Sequence, residues 1–161
     1  MNKFEEGMVV LEEKFGGNKD NVIALATIAV EPNANGMPRP VVRDVDAYYE
    51  DGVFYSVIWG ETAKMAQILA NNEVAVAPCH GWFSANGIGE NLGWVLEEKN
   101  AGIRAKLRKA FVWYDDVNNE NDKNCVFLAV RLTSGTLIIN HHEKVYYMDF
   151  VNKTATMGGH G

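Results

Sequence analysis

Three side chains combine a type and a spacing that can do chemistry: Arg43, Thr62 and Lys64. Glu61-Thr62-Ala63-Lys64-Met65 reads as a helix start, with a hydroxyl at the cap and a lysine in the first turn. A helix N-terminus offers unpaired backbone N–H groups and the positive end of the dipole, so an added lysine makes a phosphate cradle. Arg43 lies upstream in Pro40-Val41-Val42-Arg43-Asp44-Val45, where β-branched neighbours predict a strand. Each residue alone has a plainer reading: Thr62 as a simple cap, and Arg43 as the partner of Asp44 or Asp46. Glu61 also opposes an anion unless its carboxylate points away. Taken alone, Thr62 is most often a plain cap.

Other reactive groups carry less. His141 and His142 are neighbours at a predicted hairpin tip, where adjacent side chains point to opposite faces and cannot easily share one ion. No metal site is expected. Cys79-His80 diverges in the same way, and a buried cysteine at a strand end is the default there. Arg104, Lys106, Arg108 and Lys109 fall on the polar side of a predicted helix and read as a solvated face. No catalytic acid, base or nucleophile can be nominated.

The elements that must position these residues follow from periodicity. Residues 2–15 predict an amphipathic helix with Phe4, Met8, Leu11 and Phe15 on one stripe, stopped at Gly16-Gly17-Asn18. Val22 to Val30 predicts a strand buried on both faces. Asn35-Gly36 and Asp51-Gly52 predict type I′ hairpin turns flanking a strand over Pro38–Tyr49, with another over Val53–Ile58. A short helix over Thr62–Asn71 should pack Met65, Ile68 and Leu69, and Val74–Ala77 is the next strand. Gly81–Val95 predicts a strand pair or one bent strand, interrupted at Gly87 and Gly89. A helix over Ala101–Tyr114 and a polar loop over Asn118–Asn124 precede a final hairpin, Val126–Ile139 with Val145–Phe150. Residues 1–150 form one expected domain, and 151–161 a flexible tail. Six to seven antiparallel strands with few long helices predict a mainly β chain, a closed or nearly closed β-barrel with flanking helices.

Composition bounds the function. At 161 residues the chain is long enough for a real core, and its formal net charge of −6 argues against a general binder of nucleic acid or of anionic membranes. No run approaches the roughly 20 apolar residues of a membrane span. The first residues lack the basic-then-apolar layout of a secretion signal, and two isolated cysteines suit a reducing compartment, so a cytoplasmic protein is expected.

In order, Val22–Val30, Gly36-Met37-Pro38, Arg43, Thr62-Ala63-Lys64, Asn71-Asn72-Glu73-Val74-Ala75-Val76, Gly87-Ile88-Gly89-Glu90 and Leu132-Thr133-Ser134-Gly135-Thr136-Leu137 resemble the pyridoxamine 5′-phosphate oxidase-like flavoproteins. The resemblance runs from about residue 4 to 150. It implies the FMN-binding split barrel, a homodimer, and FMN in clefts between subunits. Arg43, Thr62 and Lys64 match the family's phosphate-binding positions, and Ser56 matches a hydroxyl at the end of the third strand. Trp82, Phe83 and Trp94 could cover a flavin ring, though core or interface is their usual place. The implied activity is flavin-dependent reduction or oxidation of a small molecule, the flavin carrying the reaction chemistry. No arginine follows Arg131, so the arginine–histidine motif that grips substrate phosphate in true pyridoxamine-phosphate oxidases is missing. The alternative is a non-catalytic sensor or carrier of flavin or haem, with His80 as the haem's axial ligand; FAD or a deazaflavin could replace FMN.

Overall fold

The computed structural model describes residues 1–141 and 143–158. Helix α1 (Lys3–Phe15) starts at Asn2, whose side chain accepts from the Glu5 N–H while the Glu5 carboxylate accepts from the Asn2 N–H. That reciprocal pair satisfies two amides that would otherwise be orphaned at the helix start. Strands β1 (Asn21–Ile28), β2 (Pro40–Glu50) and β3 (Val53–Trp59) follow as an antiparallel meander. Helix α2 (Ala63–Ala70) leads to β4 (Glu73–Pro78) and the long β5 (Phe83–Trp94). A 3-10 turn (Glu98–Asn100) opens α3 (Ala101–Ala110), and a single turn α4 (Tyr114–Val117) precedes β6 (Cys125–Ile139), β7 (Lys144–Asp149) and β8 (Thr154–Gly158).

Strand order is β3-β2-β1-β4-β5-β6-β7-β8, and β3 also pairs with β6. That extra pairing closes β1 to β6 into a six-stranded barrel and leaves β7 and β8 as an extension of the wall. The 15-residue β6 makes this possible: its first half pairs with β3 and its second half with β7. Closure removes the free edges of the barrel strands.

Inside the barrel lie Ile23, Leu25, Val45, Tyr49, Phe54, Val76, Phe83, Leu128 and Val130. The α1 residues Leu11 and Phe15 and the α2 residues Met65 and Ile68 join the same cluster. A second cluster sits outside the wall, where Leu107, Phe111 and Tyr114 pack on Tyr48 and Phe127. Trp113 stacks on Phe111 at 4.9 Å and 7°. Two ion pairs pin this cover: Arg104 to Glu120 in a fork at 2.5 and 2.8 Å, and Lys106 to Glu50 at 2.6 Å.

The two predicted hairpin turns diverge. Asp51 and Gly52 both take positive φ (46° and 76°), as a type I′ turn requires. At Asn35-Gly36 only Gly36 does (76°), because the Asn33 side chain organises this loop by accepting from the Asn35 and Met37 amides. In β5 the register shifts between Asn86 and Gly87 and between Asn91 and Trp94, giving one bent strand. A Cβ on Gly87 would lie 2.7 Å from the Arg131 carbonyl, so the backbones approach too closely for a side chain.

Several expectations need correction. Strand β1 is buried on one face only, because its outer face is not covered. The helix over Ala101–Tyr114 ends at Ala110, where the chain turns to drop Phe111 and Tyr114 onto the wall. Leu69 is 90% exposed, since α2 turns only Met65, Gln67 and Ile68 inward. Cys79 is exposed, whereas Cys125 is buried. Residues 154–158 are not a flexible tail: they pair with β7 from Thr154–Asp149 to Gly158–Val145. No helix among the described residues is long and apolar enough to cross a membrane.

Candidate functional site

The site forms where α2 crosses one end of the barrel. Inward parity on β1 and β2 runs through Leu25 and Thr27 on one strand and Arg43 and Val45 on the other. Arg43 is paired in register with Leu25, so its side chain reaches along the barrel end towards α2. There Arg43 Nη1 donates to Thr27 Oγ1 at 2.6 Å and to the Leu25 carbonyl at 3.2 Å, while Nη2 donates to Gln67 Oε1 at 2.8 Å. Thr27 Oγ1 donates in turn to Gln67 Oε1 at 2.5 Å. Three side chains from β1, β2 and α2 thus close a ring of hydrogen bonds.

Lys64 stands three residues before Gln67, hence on a neighbouring part of the same helix face. Burial lowers its pKa, and the Arg43 charge lowers it further. Burial lowers that of Arg43 as well. Among the described residues neither cation has a carboxylate partner, and Lys64 makes no hydrogen bond. Two like charges held together without a counterion are a standing cost, which a bound anion would offset.

Thr62 occupies the N-cap position of α2, but its side chain makes no capping bond. Its Oγ1 is buried and has no hydrogen-bond partner. A buried hydroxyl in that state costs about 1–3 kcal/mol, so it marks a place for a missing acceptor or donor. Thr62 borders an open groove of about 1100 Å³ between α2 and β5, together with Glu61, Ala66, Leu69, Gly89 and Glu90. Glu61 is exposed, and Glu90 is held by Arg131 at 3.1 Å.

The structure therefore brings Arg43 and Lys64 together, with Thr62 at the adjoining helix start. Ser56 lies elsewhere. It is 3% exposed in the middle of β3, facing the barrel interior, and its hydroxyl donates to the Asp46 carbonyl at 2.7 Å. Asp46 is three residues along β2 from Arg43, roughly 10 Å. Phe83 is buried in the barrel core, and the Trp94 indole donates to the Glu120 carbonyl in the outer cluster. Trp82 is half-exposed at the β4–β5 turn, where His80 and Trp82 both take positive φ. His142 lies outside the described residues.

The residues that periodicity missed are Thr27 and Gln67. A signal existed: Thr27 is the polar member of the inward series Ile23, Leu25, Thr27, and buried polar groups need partners. Nothing in the sequence linked it to a glutamine 40 residues away.

A second feature is the outer face of β1, β4, β5 and β6. Ala24, Ala26, Ala75, Ala77 and Ser84 line an open groove of about 620 Å³ there, bordered on one side by Tyr147 of β7 and Thr154 and Thr156 of β8. No part of the described chain packs over it.

No protein-family model and no curated protein sequence matches the chain. Solved structures do. A Listeria innocua protein named as a candidate pyridoxamine 5′-phosphate oxidase superposes with a TM-score of 0.55 at 16% identity, over 82% of this chain and 94% of that one. General stress protein 26 of Bacillus anthracis gives 0.54 at 16% identity, over 81% and 92%. A haem-binding protein of Mycobacterium smegmatis gives 0.63 at 12% identity, over 89% of this chain but 59% of that longer one. At such identities the likeness speaks to architecture. With its closed six-stranded barrel and flanking helices, the chain has the split-barrel fold of the pyridoxamine 5′-phosphate oxidase-like proteins.

Proposed function

We propose that the protein binds FMN and serves as a flavin-dependent oxidoreductase of a small molecule. The observation that carries this reading is the uncompensated Arg43–Lys64 pair beside a helix start whose cap hydroxyl is buried and unpartnered. A terminal phosphate suits that donor set: Lys64 supplies a point charge, Thr62 a hydroxyl, and the first turn of α2 its open amides. Arg43 adds charge from behind and, through its ring of hydrogen bonds, holds α2 in place. Ser56, buried in mid-strand with its O–H donated to the Asp46 carbonyl, faces the barrel interior and not this site, so its part is the smallest.

Bound FMN would supply one- or two-electron transfer to a small acceptor. The chain's own work is to hold the phosphate and to keep the ring in an apolar slot. The uncovered face of β1, β4, β5 and β6 suits that slot when a second copy of the chain lies over it, so the proposed unit is a homodimer. Small side chains let two sheets approach closely. Neighbours of the same fold include a protein of Mesorhizobium loti named as FAD-binding and one named as an F420 reductase, which supports a flavin-type ligand.

The test is an absorption spectrum of the purified protein after adding FMN and removing the excess. Flavin bands that persist, and that vanish in Lys64→Ala, support the reading. A haem band in place of flavin would shift the assignment to the carrier alternative that the M. smegmatis neighbour suggests. Failure to retain any FMN would overturn it.

A further inference from the structure

We infer that Gln67 sets the charge of the anion site, so that it selects a dianionic phosphomonoester over monoanions or neutral analogues. This rests on the reading of Lys64 and Arg43 as a phosphate site. Gln67 is 9% exposed and Thr27 1% exposed, so these two members of the ring are shut away from water, while Arg43 is partly buried. The usual partner for a half-buried guanidinium is a carboxylate, which would hold it more strongly through a charge-assisted bond. Here the acceptor is an amide. Gln67 Oε1 takes the hydrogen bonds of both Arg43 Nη2 and Thr27 Oγ1 without adding a negative charge. Arg43 is thereby fixed in direction but left electrically uncompensated.

The donor count supports this. A guanidinium has five N–H groups. The bonds from Arg43 use Nη1 towards Thr27 and the Leu25 and Val41 carbonyls, and one hydrogen of Nη2 towards Gln67. The Nε–H and the second Nη2 hydrogen have no protein acceptor among the described residues. Because Gln67 is one helical turn from Lys64, the ring also sets the rotation of α2 that brings the two cations near each other. The local charge of about +2 then matches a phosphomonoester near −2 and overmatches a carboxylate or a phosphodiester.

The experiment compares FMN with riboflavin, which lacks the phosphate, on the wild type, Gln67→Glu and Gln67→Met. Glutamate keeps both hydrogen bonds and adds one negative charge; methionine loses the bonds and adds none. The expected result is that Gln67→Glu folds as stably as the wild type, yet loses roughly tenfold or more of its FMN-over-riboflavin preference. Gln67→Met should be less stable but keep more of that preference than Gln67→Glu. A purely structural glutamine would give the opposite order, with Gln67→Glu indistinguishable from wild type, and that outcome overturns the inference. A wild type that binds both ligands equally instead removes the phosphate site itself, and this inference with it.

Discussion

The barrel wall has two outer faces built on opposite rules. On β2, β3 and β6 the outward positions are large, including Tyr48, Tyr55, Val57 and Phe127, and the chain folds α3 and α4 back to bury them. On β1, β4 and β5 the outward positions that line the open groove are mostly small, Ala24, Ala26, Ala75, Ala77 and Ser84. Strand alternation forces every barrel strand to present an outer face; side-chain volume then decides what can cover it. Large aromatic groups left in water would cost several kcal/mol together, so they oblige the chain to cover itself. Small groups impose no such demand and leave a flat wall against which another sheet or a planar ring can lie. The groove that Thr62 borders and the open wall both run along β5 but share no lining residue.

The comparison breaks most visibly on the covered side. Phe111→Ala should destabilise the protein by about 3–5 kcal/mol, since the ring is fully buried and stacked on Trp113. Urea unfolding at neutral pH measures it. A loss below about 1 kcal/mol would mean that α3 and α4 only rest on the wall.

The seam between the two faces should respond to pH. Asp46 lies on β2 between outward Val42 of the open groove and outward Tyr48 of the covered cluster. Burial, and then the Asp20 carboxylate, push its pKa up to about 6. Asp20 in turn accepts from the Trp113 indole at 2.8 Å, which ties the cover to the start of β1. The folded state holds this proton more tightly than the unfolded chain, so stability should fall as pH rises from about 4 through 6 and stay lower above. Asp46→Asn should restore about 1 kcal/mol at pH 8, allowing for solvent screening of a partly exposed pair, and almost nothing at pH 4. An equal gain at both pH values would point to packing, not charge.

The smallest stability effect belongs to the open wall. Ala77→Arg should change unfolding free energy by no more than about 0.5 kcal/mol, because the position is exposed. The same change should convert a dimer to a monomer in light scattering if a second copy covers that wall. A variant that remains dimeric would move the subunit contact elsewhere.

Much of the fold was legible because the signals were local. Asp51-Gly52 carries the backbone freedom its turn demands, and the Phe4, Leu11, Phe15 stripe announces α1. Arg43, Thr62 and Lys64 stood out by type and order. Strand β8 escaped because Thr-Ala-Thr-Met-Gly alternates over only a few residues, with Ala155 and Met157 as its sole apolar members; it exists through its ladder to β7 and the packing of α1 alongside. The break at Ala110 escaped too, since helical spacing continues through Phe111 and Tyr114 and only the wall beneath them shows why the chain turns.

The sequence by itself determined the mainly β architecture, the helix start at Thr62 and the pair of candidate cations, because turn chemistry, periodicity and capping act over a few residues. Tertiary structure alone decided that Thr62 leaves its hydroxyl unbonded, that Ser56 faces the barrel interior, and that Thr27 and Gln67 hold Arg43 without neutralising it. Those facts depend on groups up to 40 residues apart meeting in a space where water is excluded. No local pattern encodes that meeting.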